Sequence, residues 1–168
     1  QRRFWSQKKE TNMITNFNDL NQNVLKFAPP EWEKYDAIIG NEINVTNISW
    51  VKIIKYGKEA LIKNPKCFFK NNRNIKFQFD MFHGCNLLDK AISLLPYEDK
   101  IGFENYVCKR KSYNQGNMFI CKSKKILKNY YSTIFPWLDR CEKLFGFKNL
   151  KTFGQIRIYT FLAERFMS

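Results

Sequence analysis

The chain is short of several things, and each shortage removes a class of function. It has one histidine, His83, so multi-histidine metal centres and histidine relays have no material. No apolar run approaches the 18 residues a membrane helix needs. Its 5 cysteines follow no C-x-x-C or Cys/His pattern, and their odd count argues against a disulfide framework and against a zinc site. Acids are scarce, with 15 Asp and Glu against 29 Lys and Arg. Seven Gly and 5 Pro are too few for a collagen-like or linker-like chain. There is no Walker loop, G-x-G-x-x-G, H-E-x-x-H, G-x-S-x-G or D-x-D.

What is present is apolar and basic. Hydrophobic residues make up 44% and aromatics 17%, enough for a 168-residue chain to fold around a core as one domain over residues 1–168. The net charge of +14 suits an anionic partner, either nucleic acid, lipid or phosphorylated small molecules. Lys outnumbers Arg 22 to 7, so the biased codon usage of an AT-rich genome explains the charge about as well. The aromatics fall on amphipathic faces, which argues against a platform for stacking single strands. A basic nucleic-acid-binding module and an inactive scaffold remain the rivals to an enzyme. The chain opens on Gln1 and closes on an uncapped helical pattern, which reads as a fragment of a longer protein.

Residues 6–23 are polar and read as a loop, and Tyr35 to Gly40 as a short buried strand. Ser49 opens a helix to about Asn64 that Pro65 stops, and residues 66–76 read as a basic loop. Phe79 to Leu95 has helical spacing, followed by a short helix over Glu98–Val107, a turn over Ser112–Gly116 and a strand over Asn117–Cys121. Ser123 caps a long helix that Pro136 should kink or restart and Gly146 should end. Thr152 and Gln155 spell a capping box at the start of the last helix. The pattern is that of an incomplete α/β domain.

Several groups have the right chemistry for a site. Arg2 and Arg3 can grip a diphosphate bidentately. Asp80 and His83, three apart on one helix, allow a carboxylate to orient an imidazole. Asn114 to Asn117, around Gly116, suits a backbone passing close to a sugar or phosphate. Arg157, Phe161 and Glu164 form one helical stripe with Arg165 beside it, although spacing alone favours solvated charge there.

Together these stretches resemble a known bacterial family. The resemblance is carried by Gly116-Asn-Met-Phe-Ile-Cys-Lys-Ser123, Tyr130-Tyr131, Phe135-Pro-Trp-Leu138, Glu142-Lys-Leu-Phe-Gly146 and Arg157-Ile-Tyr-Thr-Phe-Leu-Ala-Glu-Arg165. Asp80-Met-Phe-His-Gly84 resembles its middle region, and Gln1-Arg-Arg-Phe-Trp5 the second half of its H-Y-R-R-Y-F motif. The family is that of glycosyltransferases of capsular and cell-surface polysaccharide synthesis, once carried as a domain of unknown function. Thr160 stands where the family usually has Gly, Gln1 where it has Tyr, and the motif's His position is missing.

The resemblance implies a GT-A-like, Rossmann-type α/β nucleotide-sugar-binding fold, truncated at its N-terminal side. It implies a nucleotide-sugar donor, a lipid-linked glycan acceptor and an anionic membrane surface as partners, with no nucleic acid expected. The place implied is the cytoplasm, peripheral at the inner face of the bacterial membrane. Glu164 is then the first candidate for catalytic base, with Asp80 and His83 as rivals. Arg2, Arg3, Asn117, Arg157 and Arg165 are candidates for gripping the donor. No cofactor is certain, and a divalent metal is possible without a D-x-D to hold it.

Overall fold

The computed structural model describes residues 5–6, 16–148 and 150–168. Nine α-helices and four short strands occur among them: α1 (Phe17–Asn23), β1 (Ala37–Ile39), β2 (Glu42–Asn44), α2 (Trp50–Tyr56), α3 (Lys58–Lys63), α4 (Ile75–His83), α5 (Leu87–Ser93), α6 (Tyr97–Lys109), β3 (Ser112–Asn114), β4 (Phe119–Cys121), α7 (Lys124–Phe145), α8 (Phe153–Ile156) and α9 (Ile158–Met167). The architecture is mixed and rich in helix.

Both strand pairs are antiparallel. β1 pairs with β4, with Ile38 opposite Ile120, and β2 pairs with β3, with Ile43 opposite Tyr113. These are two parts of one ribbon. Gly40 and Asn41 separate β1 from β2, whereas residues 115–118 separate β3 from β4, so the register slips at the break. The Asn114 side chain donates to the Gly40 carbonyl across it. The expected strands near 37–39 and 119–121 are therefore present, but the first is not buried as its apolar run suggests: Ala37 and Ile39 are exposed and Ile38 is half-buried. The stretch read as a turn at 112–116 instead supplies β3, and β2 has no counterpart in the sequence reading.

The core forms around α4, whose residues are buried on two sides. Ile75 and Phe79 pack with Leu88, Ile92, Trp137 and Leu162, while Phe77 and Met81 pack with Ile53, Ala60 and Cys67. A helix buried at every second residue has no solvent stripe, so its boundaries are hard to read from a 3.6-residue period. Trp137 is fully buried and donates from Nε1 to the Ala91 carbonyl at 2.7 Å, which ties α7 to α5.

Three expected helices divide, the last of them at Arg157 between α8 and α9. The helix from Ser49 divides at Gly57, and the expected loop after Pro65 holds two 3-10 turns before α4 begins at Ile75. The helix read over Phe79–Leu95 is two helices. Gly84 at φ 106° ends α4, and Asn86 at φ 68° precedes α5. A left-handed residue cannot continue a right-handed helix, and Gly and Asn are the types that accept that backbone. Pro136, by contrast, sits inside a continuous 22-residue α7 and does not restart it. Within the expected N-terminal loop, Phe17–Asn23 is helical, with the Asn16 side chain accepting from the Asp19 amide.

Candidate functional site

The C-terminal end of α4 is where the sequence candidates gather. A cleft of about 720 Å³ opens there, between α2–α3 on one side and α8–α9 on the other. Asp80, His83, Glu164 and Arg165 all line it. These residues come from segments some 80 positions apart in sequence, so the fold has brought together the two acidic candidates and the single histidine.

Glu164 and Arg165 are 5% and 1% exposed, which overturns the reading of solvated charge for these two residues, whereas Arg157 of the same stripe is exposed. Helix α9 packs against α7 and β3, so its Glu-Arg face meets protein rather than water. The Arg165 guanidinium is held from several directions. It donates to Glu164 Oε2 at 3.1 Å, to Gln78 Oε1 at 2.8 Å and to the Tyr113 hydroxyl at 3.1 Å. Its carbon lies 4.1 Å from the centre of the Tyr113 ring. Burial pulls its pKa below the ordinary arginine value. A buried cation needs such partners, since removing its hydration costs several kcal/mol.

His83 is nearly as buried and is sandwiched between rings. Phe161 stacks on it at 4.2 Å, and Phe79 lies at 4.6 Å. Its Nδ1 is 3.1 Å from the Gly154 carbonyl oxygen. A carbonyl only accepts, so Nδ1 carries the proton and Nε2 keeps a lone pair. Burial, with the Arg165 cation as a second cause, depresses the imidazole pKa to about 3. His83 is therefore neutral at physiological pH. Its folded pKa lies below the unfolded value, so it favours the fold above about pH 6.5, and that contribution is lost as pH falls toward 3.

Asp80 does not orient His83, contrary to what the three-residue spacing suggests. Its Oδ2 accepts from Lys76 Nζ at 2.8 Å, and the same ammonium reaches Asp89 at 2.8 Å. Oδ1 is buried with no hydrogen-bond partner. Burial raises the Asp80 carboxyl above the usual carboxylate range, with the Lys76 ammonium opposing.

The remaining candidates fall elsewhere. Asn117 is exposed, donates to the Thr160 carbonyl at 3.3 Å and lines a shallower hollow with Trp5, Phe119 and Tyr131. It is not on the cleft. Arg157 is exposed and lies over Phe153 and Phe161, at 5.2 and 5.5 Å, behind two rings that do line the cleft. Arg2 and Arg3 lie outside the described residues.

Other cleft residues escape a reading of the sequence. Gln78 and Tyr113 hold Arg165, and Tyr113 is hidden in what looks like a turn. Gly154 has a signal, because it sits inside the Thr152–Gln155 capping box, which is present with both of its reciprocal bonds. That box fixes α8, so the Gly154 carbonyl faces His83. A Cβ on Gly154 would overlap the Phe82 carbonyl oxygen and come within 2.9 Å of His83 Nδ1. Only glycine permits this approach.

No curated protein and no solved structure matches the chain. A family model described as a domain of unknown function, DUF4422, matches residues 2–168. That match runs over the cleft and nearly the whole sequence, and the chain belongs to the DUF4422 family.

Proposed function

We propose that the chain is a glycosyltransferase of capsular or other cell-surface polysaccharide synthesis, with its reaction centre in the α4–α9 cleft. The domain would be of the GT-A-like, Rossmann-type nucleotide-sugar-binding class. One observation carries the reading: three carboxylates (Asp80, Glu164 and the Lys63-paired Glu59), a neutral imidazole and a buried guanidinium line a cleft walled by Tyr56, Phe82 and Phe161. Aromatic rings suit the apolar faces of a sugar, and a space of about 720 Å³ is of ligand size.

Transfer requires an acceptor hydroxyl to attack the anomeric carbon. The bond from that carbon to the donor's diphosphate breaks, its electron pair leaves with the nucleoside diphosphate, and the hydroxyl proton passes to a base. Glu164 is the base in this reading. Asp80 is less suited, because Lys76 occupies Oδ2 and Oδ1 is sealed from the cleft. His83, with a pKa near 3, binds a proton too weakly near neutrality and serves as a hydrogen-bond acceptor. Among the described residues no three His, Cys, Asp or Glu side chains converge as metal ligands. Lys55 on the rim supplies positive charge for the departing diphosphate.

The test is to incubate the full-length protein with a panel of nucleotide sugars and a lipid-linked acceptor, and to follow nucleoside diphosphate release. Release is expected with one donor, and Glu164→Gln should lower its rate by at least about a hundredfold, the low end for a positioned base. Absence of release with every donor would favour the scaffold reading. An unchanged rate in Glu164→Gln would remove that residue's role.

A further inference from the structure

The face carried by α2 and by the 3-10 turns after Pro65 presents a cluster of apolar side chains to solvent. Val51 is 75% exposed and Phe69 65%, with Ile54, Ile62 and Phe68 also exposed. Trp50, Phe68 and Phe69 form a continuous run of rings, with centroids 4.7 and 5.6 Å apart. On α2, Trp50, Ile54 and Val51 fall within one arc, whereas Ile53 turns inward and is fully buried.

This apolar face is bolted in place from behind. Arg73 is completely buried, yet none of its described bonds is to an acid. Its guanidinium donates to the carbonyls of Thr46 at 3.1 Å and Ile48 at 2.8 Å, which lead into α2. It also donates to the carbonyls of Cys67 at 3.1 Å and Phe68 at 3.3 Å, in the aromatic turn. The Trp50 ring covers it at 4.7 Å. One cation thus fixes the two segments that present the exposed rings. Burying a charge in order to hold hydrophobic side chains in water makes sense if that face meets something apolar.

The surrounding charge identifies what it meets. Residues 50–72 contain six lysines against a single acid, Glu59. Lys52, Lys66 and Lys70 are exposed beside the apolar residues. Lys66 and Asn71 also line a notch of about 300 Å³ with Lys109 and Lys111, suited to a phosphate group. Aromatic and aliphatic residues ringed by lysine match the boundary between headgroups and acyl chains of an anionic bilayer. A nucleic acid would use the lysines and rings but offers nothing to Val51 and Ile54.

We infer that the Trp50–Phe69 face docks the protein on an anionic lipid surface, with Val51, Ile54, Phe68 and Phe69 entering the interface. Helix α2 also supplies Lys55 and Tyr56 to the cleft, so docking brings the cleft's rim to the lipid. Only the purpose of docking, access to a lipid-linked acceptor, rests on the transferase reading. The docking itself is measured without any donor.

The experiment is sedimentation of the full chain with phosphatidylcholine vesicles and with vesicles also containing phosphatidylglycerol. Binding is expected to the anionic vesicles, stronger than to the neutral ones by about tenfold or more. Val51→Glu/Phe69→Glu, at two exposed positions, should weaken it by about tenfold or more with an unchanged circular dichroism spectrum. Val51→Leu/Phe69→Leu should retain it. Wild-type binding by the glutamate variant would overturn the inference. So would failure to bind anionic vesicles, whether the face instead pairs two copies of the chain or takes up RNA. Diphosphate release without vesicle binding would sink the docking and leave the transferase reading standing; the reverse result would do the opposite.

Discussion

Replacing Arg165 by Leu is expected to lower stability by about 3–5 kcal/mol, the cost of breaking a buried ion pair from one side. The substitution roughly keeps side-chain bulk, so the loss comes from the groups left behind. Glu164 Oε2, Gln78 Oε1 and the Tyr113 hydroxyl each lose a charged partner within 3.1 Å, in a site with little access to water. Urea unfolding measures this as a lower midpoint with an unchanged slope. Adding Glu164→Leu to Arg165→Leu should recover part of the loss, because a pair removed whole leaves no isolated charge. If Arg165→Leu alone costs under about 1 kcal/mol, the network around the guanidinium is not what holds α9 to α4 and β3.

Gly154→Ala is expected to cost about 3 kcal/mol, a large penalty for one methyl group. The new Cβ meets the Phe82 backbone and the His83 ring, and neither can turn aside as a flexible side-chain tip would. Nor can α8 withdraw easily. The Thr152 hydroxyl accepts from the Gln155 amide at 3.3 Å, while the Gln155 side chain accepts from the Thr152 amide at 3.3 Å. Relief therefore requires the turn to separate from α4, which opens one end of the cleft. Gly102→Ala is the control. That glycine lies in α6, and a methyl group added there would meet nothing within 4 Å, so the same change should stabilise by about 0.5–1 kcal/mol through backbone entropy. Thermal unfolding of the two variants should move in opposite directions.

Local signals in the sequence are accurate where one short stretch decides the outcome. Ser123 accepts from the Ile126 amide, Thr152 and Gln155 form their box, and Gly146 ends α7. Periodicity misleads where tertiary packing decides. The apolar spacing from Phe79 to Leu95 runs across Gly84 and Asn86, and the left-handed backbone there divides the helix despite it. Glu164 and Arg165 look solvated because charge on a helix usually is. Their burial depends on Gln78 and Tyr113, which are far off in the chain and offer hydrogen bonds that no spacing rule reveals. Asp80 and His83 do share one site, but they are not a pair, since Lys76 and Gly154 are the partners each finds.

The single histidine makes the most direct measurement simple. In the free protein the His83 imidazole signals should stay flat between about pH 5 and 8, because burial has drawn its pKa down to about 3. Titrating a nucleotide sugar or its nucleoside diphosphate into the full-length protein should then shift those signals saturably, in step with calorimetric binding. Nucleotide that binds while the His83 signals stay still, or no binding by any nucleotide tried, would contradict the placement of a donor in this cleft.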